Sequence, residues 1–405
     1  MKKERAIVHM DLDTFFVSCE RLLDSRLNGK PILIGGTSDR GVVASCSYEA
    51  RKFGIHSAMP MKMAKERCPE AIVIKGNSSI YTKYSRIVTE IIKESAPVYE
   101  KSSIDEFYID LSGMDRFFGC KKYAHELRQR IIKESGLPIS FGLSENKTVS
   151  KIATGEAKPN NAMNIDYGTE RDFLAPLSIR KIPSVGLKTY HTFCGLGVKK
   201  IKTLQEMPLD LLEHVFGKHG RAIWKKAHGI DPSPVIQYNE RKSISTERTF
   251  DRDTIDMIRI RAILTAMAEN LAFQLRRAQK VCACVAVKVR YSDFQTTSLQ
   301  KHIPYTAADH EIIPLVLSLF EKAYNRRVRI RLIGVKLSQL VNGSHQIDLF
   351  QDDLKQVNLY AAMDKIRNRF GDRSIMRAAG MEAKSIGRTN PFNGEPPVLL
   401  ANRRR

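Results

Sequence analysis

Two neighbouring carboxylates, Asp105 and Glu106, interrupt an otherwise strand-like run, SSIDEFYID at residues 102–110. Ile104, Phe107, Tyr108 and Ile109 are the β-branched and aromatic types that fit a pleated surface. Asp105 has the parity of Phe107, Ile109 and Leu111, so an uninterrupted strand aims it at an apolar face. An unpaired buried carboxylate is costly or takes up a proton, so this charge requires solvent at a strand end or a cation. A second apolar run, IVHMDLD, also ends in acid, at Asp11 and Asp13. Two such strands can lie side by side in one sheet and gather carboxylate oxygens at one point. Hard divalent cations, Mg²⁺ above all, take oxygen ligands of this kind and complete the shell with water and substrate phosphates. Either acid alone would more simply cap a turn; two acids in matching settings predict a metal site.

Phosphates at such a site need cations. SYEARKFGI offers Tyr48 and Arg51, three residues apart and on one face if the segment is helical. GEAKPNN places Lys158 just before a proline, where a helix must end and the chain turns. An Arg and a Lys over a metal-bound triphosphate would neutralise developing charge and orient the leaving group. Taken singly, each is more often a solvated surface charge.

Composition agrees with an anionic partner. The chain of 405 residues is long enough for two or three domains, and 66 Lys and Arg against 44 Asp and Glu give a formal net charge of +22. That surplus favours a polyanion such as nucleic acid over a merely soluble basic surface. The seven cysteines form no C-x-x-C pair, which fits free thiols in a reducing cytosol. The basic start MKKERAIVHMDLD is broken by Asp11 and makes no signal peptide, and no stretch reaches the roughly 20 apolar residues of a membrane span. A cytoplasmic protein is expected.

The elements that must position these groups fall into four zones and a tail. AIVHM, PILIGG and GVVASCS read as strands, MPMKMAKERC as a helix, and a longer helix is predicted near 78–95. The IDEFYIDL strand, a helix near 119–135, and a strand, turn and helix in PISFGLSENKTVSKIATGEA complete an α/β or α+β core. Residues 166–232 read as helical, with IPSVGLKTYHTFCGLGV as two short helices around a glycine-containing turn. After a polar linker, a β-rich unit contains KSISTERTF, VCACVAVKVRYS and VRIRLIGVKLSQL around the helix IDMIRIRAILTAMAENLAFQLRRAQ. The tail pairs a helical LKQVNLYAAMDKIRNRFG with a Pro-rich, Arg-tipped end expected to be poorly ordered.

DLDTFFVSCE, SYEARKFGI, SSIDEFY and KIATGEAKPN, in that order and at those intervals, resemble the Y-family translesion DNA polymerases, and within them the bacterial polymerase IV branch. The resemblance implies a multidomain α+β, right-hand polymerase, with a ferredoxin-like palm at 1–10 and 76–165 and small fingers at 11–75. A helix-hairpin-helix thumb at 166–232, a linker at 233–242, an α/β little finger at 243–345 and a tail at 346–405 would follow. It also implies template-directed addition of deoxynucleotides to a primer 3′-hydroxyl, with low fidelity, distributive action and a role in damage tolerance. Carried over residue by residue, Asp11, Asp105, Glu106 and the Leu12 carbonyl hold two Mg²⁺ ions, for which Mn²⁺ is a possible substitute. Tyr48, Arg51 and Lys158 meet the triphosphate, Phe15 and Phe16 lie at the nucleotide with Phe16 as steric gate against a 2′-hydroxyl, and Ser45 belongs to the roof over the nascent pair. Primer–template DNA, deoxynucleoside triphosphates and a monomeric state are implied likewise. Nucleotide cyclases also pair carboxylates on a palm-like sheet but need no basic β domain, and a damaged-DNA-binding scaffold would not need all three acids.

IPSVGLK resembles the hairpin of a helix-hairpin-helix, with Gly186 and Lys188 at phosphate. Two departures stand out. Ser184 occupies a frequent Gly position, which predicts a less tight turn, and Asn161 replaces a Gly after KPN. In VAVKVRY, Val285, Val287, Val289 and Tyr291 share one face and Lys288 and Arg290 the other; VRIRLIG repeats this with Val328, Ile330 and Leu332 against Arg329 and Arg331. Either face is an ordinary solvated one or, given 18 Lys and Arg against 9 Asp and Glu over 241–345, a phosphate-tracking one. Gln346, Leu349 and Phe350 in SHQIDLFQDD resemble the Q-x-x-L-F peptide that docks bacterial polymerases on the β sliding clamp.

Overall fold

The computed structural model describes residues 5–38, 40–114, 119–343, 354–371 and 374–381. They form two compact units that divide between Asn239 and Glu240. The first opens with β1 (Ile7–Leu12), α1 (Phe15–Leu23), β2 (Ile32–Gly35), β3 (Val43–Cys46), α2 (Tyr48–Arg51), α3 (Met61–Arg67) and β4 (Ile72–Lys75). It continues through α4 (Ser78–Ser95), β5 (Val98–Lys101), β6 (Glu106–Asp110), α5 (Cys120–Ser135), β7 (Ile139–Ser144), α6 (Lys147–Ala157) and β8 (Ala162–Asn164). Short helices follow: α7 (Glu170–Leu174), α8 (Leu187–Gly195), α9 (Ile201–Glu206), α10 (Leu209–Phe216) and α11 (Lys218–Ala227).

β1 is the middle strand of a sheet ordered β5-β6-β1-β7-β8, antiparallel to both its neighbours. Its composition shows the burial of both faces. Val8, Met10 and Leu12 join Phe107, Ile109 and Phe141 in a core closed by Val88 and Ile91 of α4 and Leu127 and Ile131 of α5. Each such fully buried side chain contributes roughly 1.5–3 kcal/mol. On the other face His9 meets α6, its Nδ1 2.9 Å from Thr154 Oγ1. α6 comes this close because β7 carries Gly142: a Cβ there would stand 2.3 Å from the Ser150 carbonyl oxygen. Asn146 caps α6 by accepting from the Val149 N–H, and the helix stops at Lys158, ahead of Pro159. β1 runs two residues past the 1–10 assigned to its module by resemblance, so Asp11 and Leu12 belong to the five-stranded sheet.

A smaller sheet of order β3-β2-β4 has its own core of Leu33, Val43, Ala50, Ile55 and Met61. The helical segment packs around Leu174, Phe193, Ile201, Leu204, Leu212 and Ile223. The turn at Ser184 corrects an expectation: with φ at 81° it adopts the left-handed conformation that a glycine would take, despite its side chain. After KPN the left-handed residue is Asn160, at φ 46°, rather than Asn161.

The second unit contains β9 (Ser243–Thr254), α12 (Met257–Arg277), β10 (Lys280–Tyr291), β11 (Thr296–Thr306), α13 (Asp309–Ala323), β12 (Ile330–Asn342) and α14 (Leu354–Phe370). Its sheet runs β11-β10-β12-β9. Val285, Val287, Val289 and Tyr291 face the core with Leu264, Met267 and Leu271 of α12 and Val316 and Phe320 of α13. The simple alternation expected in VRIRLIG ends at a register shift between Ile330 and Leu332. Beyond it Ile333, Val335 and Leu337 fill the core instead, because one extra residue reverses the parity of a strand.

Candidate active site

The register of β1 and β6 sets Asp11 opposite Glu106. Asp105 escapes the apolar face that its parity implied because β6 begins only at Glu106. The turn before the strand is fixed by Ser103, whose hydroxyl donates to Asp105 Oδ1 at 2.5 Å and accepts from the Glu106 N–H at 3.0 Å. The Asp105 carbonyl accepts from the Leu12 N–H at 3.0 Å, which ties the turn to the end of β1.

Lysines from α6 and its C-terminal turn stand against these acids. Lys158 Nζ is 2.6 Å from Asp11 Oδ1, and Lys151 Nζ is 2.5 Å from Glu106 Oε2. Burial pushes the Asp11 carboxyl up to about 7; Lys158 opposes the shift, and repulsion from Asp105 and Glu106 adds to it. Burial raises Asp105 as well, against the Ser103 hydrogen bond. Glu106 goes the other way, to about 2: burial would raise it, but His9 and Lys151 outweigh that. His9 is itself brought down to about 4 by burial, so it stands neutral with Nε2 3.9 Å from Glu106 Oε2. Lys151 is therefore the cation that holds Glu106 ionised. With each carboxylate already partnered, no group of three His, Cys, Asp or Glu among the described residues forms a closed cage. The donor set still suits a hard divalent cation: all-oxygen, and driven by burial and like-charge repulsion to want positive charge.

α2 is a helix, and Arg51 Cζ lies 4.9 Å from the centroid of the Tyr48 ring, so these two residues do share a face. Asp13, left without a role in the sequence, is 1% exposed and accepts from Tyr48 Oη at 3.3 Å, Ser140 Oγ at 2.8 Å and the Asn160 N–H at 2.7 Å. Lys158 Nζ is 3.6 Å from its Oδ1. The clue was its charge two residues beyond Asp11, but a strand reading could not place it in a turn.

Phe15 and Phe16 open α1. Phe15 is a core residue, whereas Phe16 is half-buried and stacks on Tyr81 at 4.4 Å between ring centroids, 19° from parallel. Tyr81 was missed because on α4 it reads as an ordinary core aromatic; its hydroxyl donates to Glu20 at 2.6 Å. Ser45 is buried on β3, while Val42 and Ala44 beside it are exposed.

Elsewhere, Gly186 is the N-cap of α8, and Lys188 is exposed in its first turn. Lys288 pairs with Glu247 at 2.7 Å across Gly334, and Arg290 donates to Thr296 Oγ1 at 2.9 Å. Arg329 is exposed just before β12, but Arg331 is engaged, 4.0 Å from Asp253 and over the ring of Phe294. Lys336, exposed on β12, is a further cation that the sequence reading passed over. Gln346, Leu349 and Phe350, like the Pro-rich end, lie outside the described residues.

Residues 10–155 match the impB/mucB/samB family, and residues 241–349 match the impB/mucB/samB family C-terminal domain. The chain is 37% identical to a DNA polymerase IV of Dehalococcoides mccartyi, over 94% of this chain and 99% of that one. Among solved structures it is similar to a Y-family DNA polymerase chimera, with 25% identity, a TM-score of 0.74 and coverage of 83% of this chain and 99% of the other. DinB from Sulfolobus solfataricus is similar at 26% identity and a TM-score of 0.57, over 84% and 99% of the two chains.

Proposed function

The chain belongs to the impB/mucB/samB family of Y-family DNA polymerases, and from that membership and the geometry of its carboxylates we propose how it extends a primer. It is a DNA-directed DNA polymerase of the translesion type, acting on DNA and deoxynucleotides with a divalent metal. The observation that carries the reading is the meeting of Asp11, Asp105 and Glu106 at the ends of two paired strands, with Lys158 and Tyr48 beside them.

In this reading Asp11, Asp105, Glu106 and the Leu12 carbonyl hold two Mg²⁺ ions, with Mn²⁺ as a substitute. Metal held there would supply a lowered pKa for the primer 3′-hydroxyl and positive charge for the leaving pyrophosphate. The chain's own residues do the rest. Lys158 and Arg51 neutralise the triphosphate, and Tyr48 offers it a hydroxyl. Lys151 keeps Glu106 ionised and available as a ligand. Phe16, backed by Tyr81, lies under the sugar and excludes a 2′-hydroxyl. The five-stranded sheet, Asp11 and Leu12 included, serves as palm, the segment that follows it up to residue 75 as fingers with Val42, Ala44 and Ser45 in the roof, and 166–232 as thumb, with Gly186 and Lys188 at phosphate. The linker is 233–242. The 243–345 unit is the little finger, whose Lys288, Arg290 and Arg329, with Lys336, track DNA backbone without reading sequence, while Arg331 is held by Asp253 and Phe294. The Gln346, Leu349 and Phe350 peptide of the 346–405 tail docks on a β sliding clamp, and the enzyme works as a cytoplasmic monomer with low fidelity, distributively.

Primer extension on a defined template tests the core of this assignment. Asp105→Ala should lose at least about a hundredfold in rate, the scale of removing one strong electrostatic stabiliser, while DNA affinity changes little. Near-normal extension by that variant would overturn the metal-site assignment.

A further inference from the structure

The two oxygens of Asp13 have separate duties. Oδ2 is anchored: Ser140 Oγ of β7 donates to it at 2.8 Å, and the backbone N–H of Asn160 at 2.7 Å. Oδ1 faces the site, with Tyr48 Oη at 3.3 Å and Lys158 Nζ at 3.6 Å. One buried carboxylate thus joins the central sheet, the turn that carries Lys158, and the helix that carries Tyr48. A charge held this deep is stable only with several donors, and those donors are fixed in turn. The Asn160 bond matters most for Lys158: only Pro159 separates the two residues, and Asn160 is the left-handed residue of the turn. The contacts on Oδ1 are long, so the Tyr48 hydroxyl can turn its proton, and Lys158 a free N–H, toward an anion without the scaffold moving.

We propose that Asp13 is the positioning residue for the nucleotide's triphosphate, holding Lys158 and Tyr48 at the spacing from which both reach it. The proposal rests on the reading of Lys158 and Tyr48 as triphosphate contacts. Asp13 touches neither metal nor substrate in it and acts through its two neighbours. Asp13→Asn keeps the shape, but its amide nitrogen must face donors on one side of the carboxylate's place.

The test is steady-state insertion of dATP opposite template thymidine with Mg²⁺, separating KM for dATP from kcat, for Asp13→Asn, Lys158→Ala and the double variant. Asp13→Asn should raise KM about tenfold, the scale of one charge-assisted hydrogen bond, with kcat within about threefold of the parent. In the Lys158→Ala background it should add less than it does alone, because the two changes share the Lys158 contact and only the part carried by Tyr48 is left. If Lys158→Ala leaves KM unchanged, the triphosphate reading itself fails. If Lys158→Ala raises KM but Asp13→Asn does not, or the two effects simply multiply, Asp13 is a structural carboxylate only and the proposal fails alone. Should Asp13→Asn not fold, Ser140→Ala removes one donor from Oδ2 and carries the same test, with a smaller rise in KM expected and an unchanged KM overturning the proposal.

Discussion

At the residue scale, the cluster trades stability for chemistry. Asp11 is held protonated up to about pH 7 by burial, against an ordinary value of 3.8. Between those values the folded, metal-free protein binds a proton that the unfolded chain does not, so stability falls as pH rises from about 4 to about 7. Asp11→Asn removes the titrating group and should stabilise the metal-free protein at neutral pH by on the order of 1 kcal/mol, read from thermal melts in chelator. The same proton competes with metal. Mn²⁺ binding followed by electron paramagnetic resonance should weaken about fivefold from pH 7 to pH 6 and level off above pH 8. A flat profile would show that Asp11 is not a ligand. Phe16→Ala should raise insertion of ribonucleotides over deoxyribonucleotides at least about tenfold in competition assays, since the ring that Tyr81 supports is lost; an unchanged ratio would leave Phe16 as packing. The types and order of these residues were legible in the sequence. The environment of Asp105 was not, because whether a residue starts a strand or precedes it depends on a hydrogen bond, here from Leu12 on another strand.

Elements were legible where one pattern governed them. The helix expected near 78–95 is α4, and the one near 119–135 is α5 within a residue, because their apolar positions recur at helical spacing. β11 and α13 were not singled out: β11 is an edge strand with an exposed, polar sequence, and α13 carries Pro314 within it. The bulge in β12 was equally hidden, and it alters one test of the basic face. Since Arg331 is occupied by Asp253 and Phe294, reversing it would perturb the fold; Arg329→Glu with Lys336→Glu is the cleaner pair. Binding to every duplex sequence should weaken alike, with the salt slope reduced by about 1 for each charge lost, measured by fluorescence anisotropy across salt concentrations. α14 reads as helical in the sequence, but its docking does not. Arg367 is 2% exposed and pairs with Glu269 of α12, while Asp364 pairs with Arg276 at 2.7 Å. Arg367→Met alone should cost about 3–5 kcal/mol by stranding Glu269, whereas Arg367→Met with Glu269→Leu should restore most of it, as thermal melts would show.

For the whole molecule, the net charge of +22 points to an enzyme that finds DNA by charge, and the proposed distributive action has it release DNA readily. Such an enzyme gains most from being tethered. Gln346, Leu349 and Phe350 follow β12 closely, and α14, docked on the second unit, begins at Leu354. The motif thus lies in the sequence between two folded elements, so the proposed clamp docking must leave α14 in place. Two outcomes follow from that geometry. Replacing Gln346, Leu349 and Phe350 with Ala should leave extension of a bare primer unchanged and abolish its stimulation by loaded clamp, which ordinarily raises effective concentration to the millimolar range for a short tether. Arg367→Met, which loosens α14, should leave stimulation intact if the peptide alone makes the contact. Stimulation that survives the triple replacement would place the tether elsewhere in the molecule, and stimulation lost with α14 alone would make the docked helix part of the clamp-binding surface.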